Sequence, residues 1–201
     1  MDFRHFVPEG VPEGYYIGAD LILWLVSIGI LWVLTFFFFR LAVRNKELPS
    51  VYSLQRAMGL FMIFMSLNKI CYILAYWIPY YESMVALGYT TGLLSMLGIL
   101  YSFEKYIVKR THYLFTIYAS IITIFSLFLL IMPEQRALFR SITSISGMVI
   151  PLAVILAFLW LAFASTGEVR TKSIGTLVGM IMIEIGFFLE GEMVASSGFI
   201  S

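Results

Sequence analysis

Residues 21–39 read LILWLVSIGILWVLTFFFF, a run of nineteen positions without a charged side chain, bounded by Asp20 before it and Arg40 after it. At about 1.5 Å per residue such a helix covers roughly 29 Å, close to the thickness of the bilayer hydrocarbon core. A helix at the surface of a soluble domain needs one polar face. Here only Ser27 and Thr35 bring a hydroxyl, so no face of the helix suits water. The run reads as a transmembrane helix.

Five further segments repeat the pattern. The predicted spans are 15–39, 54–78, 84–106, 113–132, 140–164 and 174–193, separated by Pro79, Pro133 and the Thr166-Gly167 pair at the turns. Every connection is short, so neighbours should run antiparallel. Composition agrees: 61% of the 201 residues are hydrophobic and 12% charged, about half the charge of a soluble domain. That leaves too little polar surface to cover a water-exposed globule. The expected architecture is all-α, a polytopic integral membrane protein built as a six-helix transmembrane bundle with its N-terminus outside. Residues 1–14 would form a short extracytoplasmic segment, 15–193 the single transmembrane domain and 194–201 a short tail. The single cysteine, Cys71, excludes an intrachain disulfide and a Cys-based metal site, and a net charge of +1 gives no field suited to nucleic acid.

Orientation follows from the cations beside the spans. Arg40, Arg44, Lys46 and Arg56 flank the first connection, Lys105, Lys109 and Arg110 the third, and Arg170 and Lys172 the fifth; Arg4, Arg136 and Arg140 are all that the opposite side holds. Both termini are therefore expected to be extracytoplasmic, at the cell membrane. The segment before residue 15 carries Asp2, Glu9 and Glu13 against Arg4, with Pro8 and Pro12, unlike the basic start of a secretory signal. The first span is thus expected to be an uncleaved anchor. Tyr15, Tyr16, Trp77, Tyr80 and Tyr81 mark the outer boundary, and Tyr101, Tyr106 and Tyr113 the inner one, where amphipathic rings prefer the headgroup layer. Small residues recur in span three as Gly88, Gly92, Ser95 and Gly98, and in span six as Gly175 and Gly179. Such stripes allow close backbone approach, and packing within the bundle is the simplest use for them. Pro151 should kink span five.

The residues that carry the functional reading are polar groups inside the spans. Lys69 lies about fifteen residues into span two, roughly 22 Å along it. Glu184 is at a similar depth in span six, which runs in the same direction. Either one facing lipid alone would be costly, so both should point inward and pair. Asn68 adjoins Lys69, and Tyr72 and Tyr76 follow on its helical face at i+3 and i+7. Asp20, Trp24 and Ser27 form a second polar stripe at the outer half of span one, and Glu190 and Glu192 lie near the outer end of span six. Two uses compete: a buried ion pair that fixes register, and a ligand-binding or proton-sensitive site made by Asp20, Asn68, Lys69, Tyr72, Tyr76 and Glu184. Neutralising Lys69 alone would strand Glu184.

Enzyme chemistry finds no foothold. The chain lacks HExxH, GxSxG and a Gly-rich phosphate loop, and His5 and His112 fall on opposite sides of the predicted membrane. No catalytic residue, metal or cofactor is expected. The run from Glu104 to His112 reads as a basic loop meeting anionic lipid. The order of features resembles the membrane-embedded seven-helix sensor modules at the N-termini of some prokaryotic histidine kinases. The likeness rests on the basic loop Arg40 to Lys46, on Met58-Gly59-Leu60 followed by Asn68-Lys69 and Tyr72-Ile73-Leu74, and on Phe103-Glu104-Lys105-Tyr106 before a basic turn. It covers spans one to four; these 201 residues hold no seventh helix and no kinase domain. The resemblance implies a sensor-like role in which signalling passes through a partner membrane protein. The expectation is a non-enzymatic sensor-like or accessory subunit whose polar interior takes a small ligand or supports a partner in the lipid bilayer. The alternative is a small transporter or channel protomer using Lys69, Glu184 and Asp20 along a polar path.

Overall fold

The computed structural model describes residues 17–77, 81–132 and 136–190. Among them are six α-helices and no strand: α1 (Ile17–Arg44), α2 (Pro49–Trp77), α3 (Tyr81–Tyr106), α4 (Leu114–Ile131), α5 (Arg136–Ala164) and α6 (Gly167–Glu190), with one 3₁₀ turn at Lys109–Thr111. Three of the helices are long and apolar enough to cross a membrane, over Leu21–Arg44, Pro49–Ala75 and Ser83–Tyr106, while Leu114–Phe128 and Val149–Ala164 are shorter apolar stretches. The predicted end segments 1–14 and 194–201 lie outside the described residues. So do Tyr15, Tyr16, Pro79, Tyr80, Pro133 and Glu192, and the side chains of Trp77, Tyr81, Arg136, Arg140 and Glu190.

Three helices run past their hydropathy boundaries. α1 runs on to Arg44 rather than 39, α2 starts at Pro49 rather than 54, and α6 starts at Gly167 rather than 174. Backbone hydrogen bonding does not stop where apolarity does. Proline suits the first turn of a helix, where its missing N–H would be unpaired in any case. The polar stretch from Glu168 to Ser173 simply continues α6 beyond its apolar part. Gly167 has φ +60, a left-handed conformation that glycine adopts without steric cost and that lets the chain turn straight into α6.

The chain divides into two compact units, Met1–Gly147 and Met148–Ser201. In the first, α1 packs on α2, α2 on α3 and α3 on α4. The pairings descend as they should for antiparallel neighbours. Trp24 meets Tyr72 while Phe39 lies against Gly59. Ser53 bonds Ser102 while Asn68 bonds Gly88. Thr90 bonds Ser126 while Glu104 reaches Thr116. The core lies along α2 and α3, where Phe61, Met65, Met96, Ile99 and Phe103 are buried. α1 is different: Ile22, Val26, Val33 and Phe36 all stay exposed, Val33 and Phe36 at 69%. A soluble fold hides such a stripe; a bilayer-facing helix displays it.

In the second unit, α5 buries Ile150, Val154, Phe158 and Ala162, spaced four apart on one stripe. α5 is continuous through Pro151. On α6, Ser173 and Met180 are buried, whereas a Cβ placed on Gly175 or Gly179 would meet nothing within 4 Å. The glycine spacing of α6 thus faces open space among the described residues.

Candidate polar site between α1, α2 and α3

The small residues of α3 serve the seam with α2. A Cβ on Gly98 would sit 3.6 Å from the Ala57 Cβ, and one on Gly88 only 3.0 Å from Tyr72 Cε1 and 3.1 Å from its Cζ. The Tyr72 ring therefore rests on the α3 backbone at Gly88. Another neighbour is Trp24 of α1, with ring centroids 6.2 Å apart and the planes tilted by 32°. Three helices converge here, and an aromatic pair is clamped between a glycine and the first span.

Asn68 enters the same place. It is 2% exposed, and its Nδ2 donates to the Gly88 carbonyl at 2.7 Å. Only the amide nitrogen can donate to a carbonyl, so the orientation of the side chain is set. Gly92 leaves room for it, since a Cβ there would lie 3.4 Å from Nδ2. The Gly88 carbonyl also accepts from Thr91 Oγ1 at 2.9 Å. Asn68 Oδ1 is buried with no hydrogen-bond partner among the described residues. Leaving a buried acceptor unpaired costs about 1–3 kcal/mol. Lys69, the next residue, is buried as well, at 7% exposed.

Of the six predicted site residues, the structure brings Asn68, Lys69 and Tyr72 to one region of α2, with Asn68 and Tyr72 both touching Gly88 of α3. Asp20 and Tyr76 lie in α1 and α2, but their side chains are outside the described residues; so is that of Glu184, which sits in α6 of the other unit. Ser27, expected on the polar stripe of α1, instead bonds back to the Leu23 carbonyl at 2.7 Å and satisfies itself within its own helix.

Two structural contacts escape a reading by spans. Trp24 was visible only as a member of the α1 stripe, and its ring contact with Tyr72 depends on the register of two helices. Glu104 is the second. It is 4% exposed, and its carboxylate accepts from the Phe115 N–H at 3.0 Å, from the Thr116 N–H at 2.8 Å and from the Thr116 hydroxyl. Tyr113, at the N-cap position of α4, makes no side-chain cap bond. Glu104 thus supplies from α3 the cap that α4 lacks, and its charge complements the positive end of the α4 dipole. The sequence signal is an acidic residue at an apolar helix end, with a threonine in the first turn of the next helix.

Among the described residues no three His, Cys, Asp or Glu side chains come together. No protein-family model matches the chain, and neither a curated protein nor a solved structure matches it.

Proposed function

We propose that this chain is a non-enzymatic multi-pass membrane protein, a sensor-like or accessory subunit, and that the site around Asn68 receives a small polar ligand. The observation that carries the reading is the unpartnered Asn68 Oδ1, buried within a region of α1, α2 and α3 that Tyr72 and Trp24 flank. A structural asparagine in an apolar core is expected to satisfy both ends of its amide. This one holds one end to Gly88 and offers the other as an acceptor. The fitting ligand is a small molecule with an N–H or O–H donor and a flat or apolar body. Six spans with both termini outside the cytoplasm are the topology we assign. The three span-length helices α1 to α3, the lengths of α5 and α6 at 29 and 24 residues, and the bias of cations toward the odd-numbered connections support that topology.

The test is Asn68→Leu, a replacement of similar volume. It removes one hydrogen bond, worth about 1 kcal/mol, and relieves an unpaired acceptor of about 1–3 kcal/mol. The protein should therefore be neutral to about 2 kcal/mol more stable in a detergent denaturation assay, while any small molecule retained in native mass spectrometry of the wild type is lost. Marked destabilisation with the companion molecule retained would assign Asn68 to packing alone. Proton flux in liposomes that vanishes on Glu184→Gln would instead make the chain a transporter.

A further inference from the structure

The first unit ends on a face of unusual charge. Asn45 of the first connection donates through Nδ2 to Gln55 Oε1 at 3.1 Å. Ser53 and Ser102 bond at 2.9 Å, and Glu104 caps α4. These links gather the end of α1, the start of α2, the end of α3 and the start of α4 at one level. Arg44, Lys46, Arg56, Lys105, Lys109 and Arg110 are all exposed there. Among the described residues of this face, Glu47 is the one exposed acid, because Glu104 is turned inward under α4. None of the six cations has an ion-pair partner among the described residues.

Two of the cations are held in place by aromatic rings of their own helix. The Arg56 guanidinium lies 5.4 Å from the Tyr52 ring centroid and donates to its hydroxyl at 3.3 Å. The Lys105 ammonium lies 5.3 Å from both the Tyr101 and the Tyr106 ring centroids and donates to the Tyr101 hydroxyl at 3.2 Å. Tyr101 in turn stacks on Tyr113, centroids 5.8 Å apart and planes 20° from parallel. One ammonium N–H is engaged by Tyr101, and two remain to be directed outward. Arg44 closes the α1 span and Lys105 is the penultimate residue of the α3 span. The cations therefore share a plane with the ends of membrane-length helices.

We propose that this face binds the phosphate groups of anionic phospholipids, with Lys105, Lys109 and Arg110 as the centre of the site and Arg44, Lys46 and Arg56 beside it. The proposal rests on the membrane reading of α1 to α3. Charge complementarity selects an anion, and the position at the span ends places that anion in the headgroup layer. Tyrosine rings at this depth sit with their apolar bodies toward the acyl chains and their hydroxyls toward water. They hold the cations at the level of the lipid phosphates, which lowers the ordering cost of each contact.

The experiment uses the full chain in nanodiscs of phosphatidylcholine alone or mixed with phosphatidylglycerol, with bound lipids counted by native mass spectrometry. Phosphatidylglycerol should be enriched over phosphatidylcholine, and the enrichment should fall as salt is raised. Each cation removed should weaken binding about fivefold, so Lys105→Gln/Lys109→Gln/Arg110→Gln should cost roughly a hundredfold. Arg44→Gln/Lys46→Gln/Arg56→Gln is an independent set with the same expected direction. Equal retention of the two lipids by the wild type, or unchanged enrichment in both triple variants, overturns the proposal. Complete displacement by millimolar inorganic phosphate reassigns the face to a free anion. Stronger capture of a soluble polyanion such as polyglutamate reassigns it to an acidic partner. Failure of the chain to enter nanodiscs at all would defeat the membrane reading itself, whereas entry without lipid preference defeats only this inference.

Discussion

At the scale of single residues, two glycines on the same face of α3 should respond oppositely to the same change. Gly98→Ala adds a methyl at 3.6 Å from Ala57, an ordinary contact, and removes the helix penalty of glycine. It should be neutral or stabilising by up to about 1 kcal/mol. Gly88→Ala drives a methyl to within 3.0 Å of the Tyr72 ring, which also lies beside Trp24. Overpacking of this kind costs about 1–3 kcal/mol. Thermal denaturation of the two variants in one detergent gives the comparison, and a quenched or shifted tryptophan emission specific to Gly88→Ala would locate the strain. This contrast was half legible in the sequence. The stripe Gly88, Gly92 and Ser95, with Gly98 on a nearby one, announced a close helix contact, and Asn68 and Lys69 announced themselves as polar groups inside a span. Which glycine carries an aromatic ring was not legible, because it depends on a register that hydropathy does not encode.

At the scale of elements, the connection between α3 and α4 is the informative one. His112 and Tyr113 adopt φ +50 and +63, left-handed conformations that cost a non-glycine residue roughly 1–2 kcal/mol each. The Glu104 carboxylate offsets this by bonding the first turn of α4 from outside. Glu104→Ala should therefore destabilise the protein by about 2 kcal/mol, the loss of a helix cap and of charged hydrogen bonds. Glu104→Gln, which keeps one accepting carbonyl, should cost about half as much. Chemical denaturation in micelles measures both; equal losses would mean that the ionised carboxylate carries the whole effect, and a Gln variant as stable as the wild type that the charge contributes nothing. The existence of all six helices could be read from apolar runs and from Pro79, Pro133 and Gly167. Their ends could not, since Pro49 and the polar start of α6 extend the hydrogen-bonded ladder past the apolar run. The Glu104 cap was hidden for a related reason: it closes across a 3₁₀ turn whose left-handed residues carry no glycine to reveal them.

At the scale of the whole molecule, the charge bias makes a directional statement. With Cys71→Ser as background, Lys46→Cys and Lys109→Cys should react with a membrane-impermeant maleimide in inverted vesicles and stay unlabelled in intact cells. Labelling in intact cells would reverse the orientation argued from the cations. The order of packing within the first unit carries a consequence in time. Because α2 packs on α1, α3 on α2 and α4 on α3, each newly made segment meets a surface already synthesised. Nothing in that series must wait for a distant part of the chain, so little apolar seam stays uncovered while translation proceeds. The last link of the series, Glu104 closing over α4, would then act as a latch that biases the nascent hairpin against sliding along its own axis.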